Sequence, residues 1–237
     1  MTPARPGFTF IELLVVLLLI GMLLPALGAS RRTARQMANN TQLRGIHQGM
    51  VTFAQANKRG GADGRFPGLG PQDELVAAAP AGRLQLMLEG NFFTPDYIVN
   101  PADPEAFPAP PEGPVTFRNH SYAMLPIADP QADAGRIFEW RETLNTNAVV
   151  LSDRNTGVAP DRLSSVWTER NSGDWRGGVV RNDNSTSFET TAVLEGTKYG
   201  KYPANDTDQL FVSETDAGSD AMMIHRVGGE PGVAATP

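Results

Sequence analysis

Residues 8–24 read Phe-Thr-Phe-Ile-Glu-Leu-Leu-Val-Val-Leu-Leu-Leu-Ile-Gly-Met-Leu-Leu, an apolar run interrupted by one carboxylate, Glu12. Such a run restricts what the chain can become. About 20 apolar residues in a helix span the ~30 Å of a bilayer's hydrocarbon core, and residues 8–29 come close to that length. The acid is the informative exception, because a charge inside a membrane helix costs about 2.5–3.5 kcal/mol and marks a functional position by default. Glu12 therefore calls for a cationic partner.

The string Gly7-Phe8-Thr9-Phe10-Ile11-Glu12 resembles the processing site of type IV prepilins and type II secretion pseudopilins. The resemblance implies that a prepilin peptidase cuts between Gly7 and Phe8 and N-methylates the new terminal phenylalanine. It also implies that Glu12 neutralises the freed amino group of Phe8 on a neighbouring subunit and so sets axial register during filament assembly. Two isolated charges in an apolar setting become one pair, whose desolvation cost is offset only when subunits dock correctly. Glu12 is then an assembly residue. The implied partners are the prepilin peptidase, other pilin or pseudopilin subunits and the membrane, and the implied location is the bacterial inner membrane with a periplasmic head.

Two other readings of the same segment stay open. Arg5, the apolar stretch 13–24 and the small-residue run Ala26-Leu-Gly28-Ala29 loosely satisfy a conventional secretory signal peptide. An uncleaved anchor also fits the length. Either would leave a secreted or membrane-anchored periplasmic binding protein. Charge counting places Arg31, Arg32 and Arg35 after the helix and only Arg5 before it, which orients the amino terminus outward; the resemblance implies the reverse.

The formal net charge of −6 becomes −7 if Arg5 leaves with the leader, which argues against nucleic acid as a partner. The absence of cysteine excludes disulfides, thiolate metal sites and a cysteine nucleophile. His47, His120 and His225 have no metal-ligand spacing, and no Gly-x-Ser-x-Gly or phosphate-loop pattern occurs, so the sequence points away from an enzyme. Asp206, Asp208 and Asp216 are the candidate oxygen ligands for a calcium ion, the one cofactor considered, since related major pseudopilins hold calcium in a C-terminal loop.

The remaining chain reads as an α+β protein: a long N-terminal helix, membrane-spanning and then amphipathic, packed on a C-terminal antiparallel sheet. The segments are a leader 1–7, an assembly helix 8–29, a stem 30–58, a connecting region 59–115, a β-rich head 116–230 and a tail 231–237. Pro25 is expected to kink the helix. Leu43, Ile46, Met50 and Phe53 recur on one helical face that should bury against a sheet, a two-heptad coiled-coil seam being the competing explanation. Residues 62–115 read as connection rather than core, with a short helix around 84–88 ending at Gly90 and a proline cluster at 108–114 that favours extended solvated backbone. Strands are expected over 121–125, 147–151, 178–181, 186–194 and 209–212.

The second half is also similar to pseudopilin-like proteins of planctomycete-type bacteria that carry an H-X9-DG signature. Here Asp183-Asn184 stands in the Asp-Gly position, and Gly173 occupies the place of the histidine. The physical content that survives is a tight hairpin turn. Many of those relatives have cysteine before the Pro-Ala-Asp turn, where this chain has Asn100.

Overall fold

The computed structural model describes residues 8–58, 64–157, 162–169, 173–215 and 217–227, less the side chains at positions 25 and 26. The chain divides into two compact units, residues 1–37 and 38–237. Helix α1 (Phe10–Ala56) contributes to both and runs on through Pro25. In the first unit its large apolar side chains, from Phe10 to Leu24 and at Leu27, are all exposed, and the helix is long and apolar enough to cross a membrane.

The second unit is built on the continuation of α1, where Leu43, Ile46 and Met50 are fully buried in the core and Phe53 packs on it partly buried. Helix α2 (Pro80–Glu89) begins with proline in its first turn, where the missing N–H has no helical partner to lose, and stops at Gly90. A short 3-10 helix at Pro95–Ile98 follows. Strand β1 (Tyr122–Met124), helix α3 (Ala134–Glu139), β2 (Val149–Asp153), β3 (Gly177–Arg181) and β4 (Thr186–Glu189) come next. The strands form one antiparallel sheet in the order β1-β2-β3-β4. A two-stranded ladder of β5 (Val193–Leu194) and β6 (Asp208–Gln209) lies outside it.

The fold is thus a long helix followed by an antiparallel β-rich head, as the sequence pattern indicates. The expected buried face of the stem is the observed one. A Cβ at Gly178 on β3 would come within 2.5 Å of Leu43 Cδ1, so glycine there permits the close approach of helix and strand.

Several expectations are corrected. Residues 62–115 are more than connection: Phe66, Leu69, Ala81, Leu84, Met87, Ile98, Ala109 and Val115 join the core. The segment 186–194 is split into β4 and β5, and the last strand covers Asp208–Gln209 rather than 209–212. Helix α3 had no periodic signal, since its six residues span less than two turns. Its Arg136 is instead anchored by ion pairs to Asp133 and Asp220 at 2.8 and 2.6 Å.

Candidate functional site

Thr9 and Glu12 close the start of α1 on each other. The Glu12 amide donates to Thr9 Oγ1 at 3.3 Å, while Glu12 Oε2 accepts the Thr9 backbone N–H and its hydroxyl, both at 2.8 Å. This is a reciprocal capping box, in which helix-start donors with no intrahelical partner are satisfied by side chains. The Thr-x-x-Glu spacing carries that signal in the sequence, and the sequence reading passed over Thr9 by treating Glu12 only as an unpartnered charge. Phe8, one residue before the cap, is 86% exposed. Gly7 lies outside the described residues.

The geometry places the Glu12 carboxylate on the amide nitrogen of Thr9, and the next nitrogen toward the amino terminus belongs to Phe8. A cut before Phe8 would make that nitrogen a cation. The carboxylate is therefore already drawn toward the place where positive charge would appear, and it sits in the first turn, where the helix dipole favours an anion.

The candidate calcium ligands are placed differently from one another. Asp206 is exposed. Asp208 is fully buried, with Oδ2 accepting from the Thr197 hydroxyl and from the Ala221 amide at 2.8 Å, and burial pushes its carboxyl up to about 6. Asp216 lies outside the described residues. The nearby Asp220 is committed to Arg136 and to the Thr215 hydroxyl. Among the described residues, no three His, Asp or Glu side chains are grouped so as to hold a metal ion.

A buried carboxylate of the head that the sequence did not single out belongs to Asp153. Its Oδ2 accepts from Asn39 Nδ2 at 2.8 Å, Trp167 Nε1 at 3.0 Å and the Gly178 amide at 2.7 Å. Its Oδ1 accepts from Asn100 Nδ2 at 2.8 Å. Burial pushes the Asp153 carboxyl up to about 6, against the four donors that pull it down. Asn100 thus helps to join the connecting region to β2. The β3–β4 turn carries Asn184 at φ +66°, the left-handed conformation that the Asp-Asn pair was expected to supply.

The model of the prokaryotic N-terminal methylation motif matches residues 3–24. No curated protein and no solved structure matches the chain. The motif supports a pilin- or pseudopilin-like protein. In general it implies processing by a prepilin peptidase and assembly with other pilin subunits, and with the apolar helix it is consistent with membrane anchoring.

Proposed function

We propose that this chain is a structural, non-enzymatic subunit of a type II secretion pseudopilus or a type IV pilus-like filament. It is cut after Gly7, N-methylated at Phe8, held in the inner membrane by the first part of α1 with its head in the periplasm, and drawn into a fibre through that helix. The observation that carries this reading is Glu12 in the first turn, its carboxylate reaching back to within one residue of the nitrogen that processing would free. In the assembled fibre the carboxylate pairs with the Phe8 amine of a neighbour, so each charge is neutralised only in register. The turn at Asp183-Asn184 supports placing the head in the H-X9-DG branch.

The test is the mass of the amino-terminal peptide from protein purified out of its native envelope, together with fibre incorporation of Glu12→Ala. N-methylated Phe8 with failed incorporation of Glu12→Ala supports the reading. A mature terminus near Ala29 or Ser30 overturns it in favour of a conventional signal peptide. Normal incorporation of Glu12→Ala removes the charge-pair mechanism.

A further inference from the structure

Two histidines far apart in sequence meet at the edge of the sheet, independently of the assembly helix. His120 precedes β1. His225 lies in the segment 224–227, where Ile224 exchanges two backbone hydrogen bonds with Met124 at 2.9 and 2.8 Å on the edge of β1 not occupied by β2, while the preceding Met223 is held in the core through its amide on the Leu210 carbonyl. The two rings are 4.4 Å apart. His120 Nδ1 bonds the Tyr122 carbonyl and His225 Nε2 bonds the His120 carbonyl, each at 3.0 Å. A carbonyl only accepts, so both nitrogens must donate, which fixes one tautomer for each neutral ring.

The fixed tautomer leaves His120 Nε2 as a bare lone pair, buried and without a partner. A second proton there would be a buried N–H without an acceptor. The charged groups around the pair are Arg154 and Asp103 toward His120, and Arg154 and Arg226 toward His225. Arg154 itself pairs with Asp103 at 3.0 Å and with Glu105 at 3.1 Å. Met223, Ile224, His225 and Arg226 also form part of the wall of a cavity of about 440 Å³ shared with Phe117 and Arg154.

We propose that residues 224–227 form an acid-released strap: protonation of His120 and His225 detaches it from the edge of β1, freeing the Met124 backbone groups and removing part of one wall of the cavity. Burial holds His225 at about 3 and His120 well below the ordinary imidazole range while the strap is closed. In the open state both return to about 6.5. Because the closed-state values are depressed, the open state binds more protons, and the closed state loses stability as pH falls below about 6.5. Each histidine multiplies the opening constant about tenfold between pH 7.5 and 5.5. A freed strand edge is a template for pairing with another chain, so acid would give the head an additional contact surface.

The experiment is amide hydrogen exchange on the full-length chain in detergent at pH 7.5 and 5.5, corrected for intrinsic rates. The opening constants at Met124 and Ile224 should rise about a hundredfold and should exceed those of β2 and β3 at both pH values, because β2 and β3 exchange only through larger openings. In His225→Gln, which keeps an N–H donor for the His120 carbonyl but cannot titrate, the rise should be about tenfold. A wild-type rise below about threefold, opening constants at Met124 and Ile224 no larger than those of β2 and β3, or an undiminished rise in His225→Gln would each overturn the strap.

Discussion

The two halves of α1 use similar residues to opposite ends. In the first unit Leu17 is 61% exposed and Ile20 47%, whereas in the second Leu43 and Ile46 are fully buried. A helix that is apolar all round belongs inside a protein core or a membrane. The first half has no such cover from its own chain among the described residues, and its length and apolarity are consistent with membrane anchoring. The second half receives its cover from the strands and loops that follow it. Two carboxylates repeat the contrast: Glu12 is exposed and held by its own helix start, while Asp153 is buried and gathers donors from four separate segments.

The strongest challenge to this division is Asp153→Ala. It leaves the side chains of Asn39, Asn100 and Trp167 and the amide of Gly178 without their acceptor, and buried donors stranded in this way cost about 1–3 kcal/mol each. Denaturant unfolding of the head should lose at least about 3 kcal/mol, while the helicity of the first unit stays unchanged. A loss below about 1 kcal/mol would show that water satisfies these groups and that the cluster is not what holds α1, β2 and β3 in place.

The same chemical change made in each half of α1 gives the next largest effect. Ile46→Ala empties a fully buried position and should destabilise the head by about 2–5 kcal/mol. Ile20→Ala removes the same atoms from an exposed position, and the head's unfolding midpoint should stay within about 0.5 kcal/mol of wild type. Equal losses would mean that the two halves are not energetically distinct.

The sequence disclosed those parts whose cause is local. The apolar run around Glu12, the face Leu43-Ile46-Met50, the stop at Gly90 and the turn at Asp183-Asn184 are each written within a few adjacent turns or residues. Thr9 was legible too, since Thr-x-x-Glu is a capping pattern. Asp153 was not, because its donors lie as far as 114 residues away and none is remarkable in its own segment. The irregular stretch 62–115 was misread for a related reason: its core residues, such as Phe66 and Ile98, sit in segments without periodicity, where burial depends on the fold around them. The head's sheet showed as strands, but where one strand ends and the next begins depends on ladder partners that no local pattern specifies.

The smallest expected effect comes from Asn184, where the second half of α1 is tied to the β3–β4 turn by polar contacts. Asn184 accepts from Arg44 through its carbonyl at 3.2 Å and from His47 Nδ1 through Oδ1 at 3.2 Å, and its Nδ2 donates to Gln48 Oε1 at 3.3 Å. Asn184→Gly keeps the carbonyl contact and suits the left-handed backbone, so it should lose only the two side-chain bonds, of which the one to Gln48 is exposed, about 0.5–1.5 kcal/mol together. Asn184→Ala loses the same two bonds and adds the strain of a Cβ at positive φ, so it should be about 1 kcal/mol less stable than the glycine variant. The pair of variants therefore separates backbone strain from the polar tether. If Asn184→Gly unfolds at the wild-type midpoint, the side-chain tether contributes nothing, and the polar hold on the second half of α1 rests on the Arg44 contact to the turn carbonyl and on Asn39 against Asp153.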